Sequence, residues 1–324
     1  MNRAIRFHST GGPEVLVLET LADAAPGPGQ VRIKHTAIGV NFIDTYHRTG
    51  HYPVKLPSGL GMEAAGVVDA VGEGVARFRA GDRVGYCTGP LGSYADANIV
   101  AADRVVALPD GISDATAAAS MLKGMTARYL LRKTFPVNHD HTVVIHAAAG
   151  GVGQIAVQWA KHLGATVIAV AGGADKCALA LSLGADHAID ANGEDIAARV
   201  RALTGGEGAD VVYDSVGKTT FEASLNSLKP LGMFVSFGSA SGPAPDVSPG
   251  VLNAKGSLFF TRPGLLHYTR TAALLQETAD ETFAVMLNGD VKVAAPTAYA
   301  LADAAQGHRD LEGRRTTGSL VLVP

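Results

Sequence analysis

The stretch that decides the fold runs Val143-Val144-Ile145-His146-Ala147-Ala148-Ala149-Gly150-Gly151-Val152-Gly153-Gln154-Ile155-Ala156-Val157-Gln158-Trp159-Ala160. A β-branched run enters a glycine turn, and the turn opens a segment with few helix breakers. Ala148, Gly150 and Gly153 stand in the register of G-x-G-x-x-G, with alanine at the first position. Glycine at the second position lets backbone approach a pyrophosphate, and glycine at the third lets helix pack on strand. Free N–H groups and the positive helix end then favour an anion. Taken alone, such a turn is equally the tight joint of any strand and helix. The context turns the reading toward a dinucleotide, because a second β run, Thr166–Ala171, follows at Rossmann spacing.

Outward from this turn the pattern alternates. β runs at 142–147, 166–171 and 211–214 are interleaved with helical segments at 153–163, 176–183 and 196–203. Such alternation predicts a parallel sheet with crossover helices, a doubly wound α/β unit. An alanine-rich helix, 113–131, precedes it. Residues 1–120 differ in character. Short β runs at 30–38, 64–71 and 103–108 are punctuated by Pro26-Gly27-Pro28-Gly29, Gly72-Glu73-Gly74, Ala80-Gly81-Asp82 and Pro109-Asp110-Gly111. That spacing predicts a β-rich, barrel-like unit. From about 261 come a helix, 271–287, and a last apolar run, 319–323. The expected division is 1–120, 121–260 and 261–324. With 324 residues and 47% hydrophobic composition, two domains with substantial cores are expected.

Net charge is −3, from 27 basic and 30 acidic residues, which offers no electrostatic footprint for nucleic acid. Two cysteines, Cys87 and Cys177, are too few for a disulfide framework or a four-thiolate zinc site. The N-terminus lacks a signal-peptide core, and no apolar run reaches membrane-span length. A cytoplasmic protein is expected.

The second strand ends in Ala171-Gly172-Gly173-Ala174-Asp175-Lys176. Glycines stand where an NAD-specific fold offers an acid to the ribose hydroxyls, leaving room for a 2′-phosphate. Lys176 is either a point charge for that phosphate or an ordinary solvated helix lysine. Asp175 is either a helix cap or a residue that weakens phosphate affinity.

At this point the residues resemble a known family. Gly11-Gly12-Pro13-Glu14-Val15-Leu16, Asn41-Phe42-Ile43-Asp44-Thr45-Tyr46, Leu60-Gly61-Met62-Glu63-Ala64-Ala65-Gly66 and the glycine turn carry the likeness. So do Val212-Tyr213-Asp214-Ser215-Val216-Gly217, Val235-Ser236-Phe237-Gly238 and Thr261-Arg262-Pro263. Essentially end to end, the sequence is similar to bacterial NADPH-dependent quinone oxidoreductases. These form the zeta-crystallin-like branch of the medium-chain dehydrogenase/reductase superfamily. The resemblance implies a GroES-like catalytic domain, a Rossmann domain, and a C-terminal return to the first, with NADPH in the cleft between them and a homodimer as the assembly. It implies cofactor contacts at Asn41, Phe42, Tyr46, Thr126, Tyr129, Gly151, Val152, Gly172, Lys176, Val216, Phe237, Ser239 and Arg314. On their own residues, Asn41 and Thr126 read as loop or helix-end hydrogen bonders, and Phe42, Tyr129 and Phe237 as core aromatics. Where the family often has a tyrosine beside the 2′-phosphate, after His187-Ala188-Ile189-Asp190, this chain has Ala191.

Zinc-dependent relatives in that superfamily place a Cys, a His and a second Cys around the metal. The first position falls near Asn41, the His of Gly-His-Glu is Met62, and the second Cys falls near Leu122-Lys123. Thiolate and imidazole are the usual zinc ligands, so no metal is expected. His139 and His141 lie on a polar loop and read as solvated. Without a Lewis acid, hydride donation from NADPH to an electron-poor acceptor is the easier direction, and a quinone suits it. Tyr46 and Tyr52 are the candidate catalytic residues. They relay a proton or hydrogen-bond the acceptor; the bland alternative is that Tyr46 only stacks on the nicotinamide or ribose. The nearest rival activity is reduction of an enone or enal double bond. From another class, a non-catalytic, nucleotide-loaded RNA-binding or structural role is the alternative.

Overall fold

The computed structural model describes residues 1–313 and 315–324. In the first half of the chain the strands are β1 (Asn2–Phe7), β2 (Val17–Leu21), β3 (Gln30–Val40), β4 (Ser58–Gly59), β5 (Glu63–Val71), β6 (Arg83–Tyr86), β7 (Ala97–Ala101) and β8 (Val106–Ala107). Those that follow are β9 (Thr142–His146), β10 (Thr166–Ala171), β11 (His187–Asp190), β12 (Ala209–Asp214), β13 (Leu228–Ser236), β14 (Phe259–Thr261), β15 (Thr297–Ala300) and β16 (Leu320–Val323). The α-helices are α1 (Phe42–Thr49), α2 (Asp114–Tyr129), α3 (Gly151–His162), α4 (Ala174–Ser182) and α5 (Ile196–Leu203). They continue with α6 (Phe221–Asn226), α7 (Pro249–Ala254), α8 (Leu265–Tyr268), α9 (Ala272–Leu287) and α10 (Ala304–Glu312). Two compact units result. One comprises Met1–Lys123, Thr269–Leu287 and Val293–Pro324; the other comprises Gly124–Tyr268 and Asn288–Lys292.

The first unit is built on a sheet of order β15-β16-β3-β5-β6-β8, with β7 also paired to β3. Strand β3 explains the pattern. Val31, Ile33, His35 and Ala37 are buried while Lys34 and Thr36 face out, the period-two signature of a half-buried strand. Two register shifts against β5 bend it, between Arg32 and Ile33 and between His35 and Ala37. Strand β16 lies antiparallel to β3, so the last apolar run completes the sheet of the first unit. Phe7, Ile33, Ile38, Leu60, Tyr94 and Leu320 are among its core residues. One expected strand is corrected. Of 103–108, only Val106–Ala107 is strand, because Ala102–Arg104 closes a 3-10 turn through Val105 N–H to Ala102 O.

The second unit is a six-stranded sheet of order β11-β10-β9-β12-β13-β14, with every pair parallel. The chain winds outward from β9 to β11 on one side, then returns to β12 on the other. The topological switch therefore falls between β9 and β12. Val144, Ile168, Ile189, Val212 and Phe234 form the core of this unit. Its inner strands β10 and β12 are buried on both faces, as strands covered by crossover helices are. Met233–Ser236 close β13, the penultimate strand, with Phe237 just beyond it; β14 is the outer one.

Candidate functional site

In the second unit the parallel strands bring four loops to one sheet edge. After β9, Ala147 takes φ +50° and Gly150 N–H donates to Ala147 O at 2.8 Å. Gly150 is the N-cap of α3 and makes no side-chain cap, so the first amides of the helix are left to a ligand. A Cβ on Gly153 would stand 2.3 Å from Ala147 O and 2.7 Å from Ala148 Cα. That position admits no side chain, and the helix packs directly on the turn. Helix α3 starts at Gly151, two residues earlier than its sequence pattern suggests. The cradle, uncapped and without Cβ atoms, fits a pyrophosphate.

After β10, Gly173 (φ +95°) is the N-cap of α4. Asp190, at the end of β11, accepts from Gly173 N–H (2.7 Å) and Asn192 N–H (2.9 Å), and thereby shapes this turn. Asp175 lies exposed in the first helical turn and is not the cap. Lys176, half-buried, is the third residue of α4 rather than its start, and it has no ion-pair partner among the described residues. Ala191 is exposed beyond β11.

After β12, the buried Asp214 carboxylate organises the next loop. Its Oδ1 accepts from Val216 N–H (2.7 Å) and Gly217 N–H (3.0 Å). Its Oδ2 accepts from the Thr220 and Ser224 hydroxyls, both at 2.7 Å. Ser224 lies 3.1 Å from His146 Nε2, so the same cluster reaches the residue that precedes the glycine turn. After β13, Phe237 N–H donates to Asp214 O, and Ser241 N–H to Val216 O, both at 2.8 Å. Gly150, Gly151, Val152, Gly153, Gly172, Lys176, Val216, Phe237 and Ser239 thus gather at the carboxyl ends of β9, β10, β12 and β13. Thr126 and Tyr129 lie on α2, Thr126 within the helix rather than at its end. Tyr129 stacks on Tyr268, with ring centroids 4.6 Å apart and ring planes nearly parallel, and burial pushes its phenol up. Arg314 lies outside the described residues.

In the first unit, Asn41 precedes α1, and Phe42 and Tyr46 lie on it. The Tyr46 ring meets Phe42 (5.5 Å), His51 (5.2 Å) and Tyr52 (5.3 Å) edge-on, and His51 stacks on Tyr52. Phe42, Tyr46 and Tyr52 therefore form one ring group, joined by His51, a histidine that sequence reasoning passed over, with Asn41 next to Phe42 in the chain. Behind Asn41 is a buried polar chain. Asn41 Nδ2 donates to Glu63 Oε2 (2.7 Å), and Glu63 Oε1 accepts from Leu122 N–H (2.6 Å). Lys123 Nζ stands 3.9 Å from Glu63. Asp44 accepts from Asn41 N–H (2.8 Å) and Tyr94 Oη (2.9 Å). Tyr94 contacts His308, His308 contacts Arg48, and Arg48 forms a bidentate pair with Glu312. Burial raises the Asp44 carboxyl to about 7 and lowers the His308 imidazole to about 3. Burial also raises Glu63 and lowers Lys123, each opposed by the other's charge. None of these pairings was legible in the sequence, where Glu63 stood only within a family-like segment and Asn41 only as an implied cofactor contact.

Among the described residues, no group of three or more His, Cys, Asp or Glu side chains could hold a metal ion, and no helix is long and apolar enough to cross a membrane.

Comparison with known proteins follows the same two halves. Residues 27–110 match the alcohol dehydrogenase GroES-like domain family, and residues 151–276 match the zinc-binding dehydrogenase family. The chain is 51% identical over 325 residues to a quinone oxidoreductase of Pseudomonas aeruginosa, covering 100% of both. It superposes with a TM-score of 0.97 on the crystal structure of Escherichia coli quinone oxidoreductase complexed with NADPH, at 47% identity and full coverage of both chains. It is also 44% identical to a 2-haloacrylate reductase of a Burkholderia species, covering 100% of this chain and 99% of that one.

Proposed function

The chain belongs to the quinone oxidoreductases of the medium-chain dehydrogenase/reductase superfamily, and from that footing we propose how its residues carry the NADPH-dependent reduction of a quinone. The observation that carries the reading is the sheet edge of the second unit. Four loops there present uncapped helix amides, a glycine cradle and a Lys176 without an ion-pair partner among the described residues, the chemistry of a phosphorylated dinucleotide. Bound NADPH supplies the hydride that reduces the acceptor. The amides of Gly151 and Val152 hold the pyrophosphate, and Lys176 holds the 2′-phosphate. Val216, Phe237 and Ser239 line the edge between them. Asn41 and the Phe42–Tyr46–Tyr52 ring group orient the reacting parts, which is the main task when aromatisation drives the reaction. Tyr46 or Tyr52 hydrogen-bonds the acceptor oxygen or passes it a proton.

We read the reaction as metal-independent, because Asn41, Met62 and Lys123 supply no thiolate or imidazole. The Asn41 amide is spent on Glu63 instead. We also place the enzyme in the cytoplasm, since no disulfide joins its two cysteines.

The 2-haloacrylate reductase relative favours a second reading, reduction of an activated carbon–carbon double bond. Steady NADPH oxidation with a benzoquinone, an enone and 2-chloroacrylate in parallel, with and without chelator, separates the two. The quinone is expected to give a kcat/KM at least tenfold above the others, unchanged by chelation. A higher value for either alkene, or activity lost with bound zinc, would reverse the respective assignment.

A further inference from the structure

Glu63 is fully buried, and its two oxygens have different duties. Oε1 takes the Leu122 backbone N–H and Oε2 takes the Asn41 amide. Space for the carboxylate is reserved by Gly39, where a Cβ would stand 2.4 Å from Oε2. Lys123, more than nine-tenths buried, places its ammonium 3.9 Å from Oε2 and has no hydrogen-bond partner of its own. It supplies the counter-charge a buried carboxylate needs. A carboxylate accepts and cannot donate. Asn41 must therefore turn Nδ2 inward. Its carboxamide oxygen accepts from the Asp44 backbone N–H in the capping box and has a second lone pair to offer a ligand.

We propose that Glu63, with Lys123 as its counter-ion, is a positioning residue that fixes the Asn41 carboxamide oxygen-outward, so that Asn41 recognises a hydrogen-bond donor on the dinucleotide, a hydroxyl or an amide N–H. This rests on the reading of Asn41 as a dinucleotide contact.

Substitution can reverse the polarity. In Glu63→Gln the single remaining oxygen must serve the Leu122 N–H. The new amide then faces Asn41 and forces its carboxamide over, presenting N–H to the ligand. In Asn41→Asp a new carboxylate faces that of Glu63. In Asn41→Asp/Glu63→Gln the new amide donates to the new carboxylate, an acceptor again faces the ligand, and Lys123 keeps a negative neighbour.

NADPH Kd is measured by fluorescence titration, with unfolding temperatures as the check on folding. Asn41→Ala is expected to raise Kd about tenfold, the loss of one hydrogen bond. An unchanged Kd would remove the reading of Asn41 itself. Glu63→Gln and Asn41→Asp are each expected to raise Kd about tenfold, and the double variant to return it to within about threefold of the parent. If Asn41→Ala weakens binding but the double variant binds no better than the poorer single variant, the positioning role is overturned. Should a single variant not fold, the double variant is compared with Asn41→Ala. Binding at least threefold tighter supports the proposal, and binding no tighter overturns it.

Discussion

Lys176 stands on the first turn of α4, beside two glycines and without an ion-pair partner among the described residues. A lysine so placed is a point charge held in reserve, and a 2′-phosphate is the anion that fits it. Lys176→Ala is expected to raise KM for NADPH roughly tenfold or more, the loss of one charge-assisted contact, and to leave NADH almost unaffected. Ala191→Tyr, which restores a ring beyond β11, should tighten NADPH. Equal losses for both cofactors would show that Lys176 never meets the 2′-phosphate. Asp190 belongs to the same argument. It is fixed by backbone amides, which hold its carboxyl low, so it shapes the turn and does not compete for the ribose.

Among the elements, α1 is the one whose environment most shapes its behaviour. It carries Phe42 and Tyr46 on one side and Asp44 and Arg48 on the other, and the second pair is buried. The Asp44 carboxyl is raised to about 7, chiefly by burial. It therefore binds its proton more tightly folded than unfolded. Between its ordinary value of 3.8 and about 7 the folded state holds more protons, so this group's contribution to stability is present at low pH and lost as pH rises through that window. Asp44→Asn keeps an oxygen for both the Asn41 and Tyr94 donors and removes the titration. Relative to the parent, the variant should gain stability on going from pH 4 to pH 8, by on the order of 2–4 kcal/mol. Urea unfolding at the two pH values measures this, and parallel pH profiles for parent and variant would refute it.

For the whole molecule, β14 is one of the open sheet edges, opposite β11 in the sheet of the second unit. It pairs with β13 on one side, and no described strand pairs with it on the other. Phe259 on it is 56% exposed. An unpaired apolar edge is a template for another chain. A two-fold contact between β14 strands, continuing the sheet across an isologous interface, is the arrangement we propose. Light scattering at micromolar concentration is expected to give twice the 33.2 kDa chain mass, and Phe259→Lys to shift it toward the monomer. A monomeric parent protein would end the idea.

The sequence by itself determined β9, β10 and β12 with helices α3, α4 and α5, the β3 and β5 runs, and the glycine turn. It did so because these signals are local. Strand alternation, helix periodicity and the steric needs of a tight turn are written within a few residues. Helix α5 was legible to the residue, since Asp195 caps its start and accepts from Ala198 N–H. The β5 acid Glu63 was visible only as part of the family-like segment Leu60–Gly66. Its meaning came from Asn41 and Leu122, 22 and 59 residues away. Arg48 and His308 meet across 260 residues, and Asp214 gathers two loops and His146. Only the tertiary structure decided these. What a buried charge does depends on which distant elements surround it, and burial makes their few hydrogen bonds obligatory rather than optional.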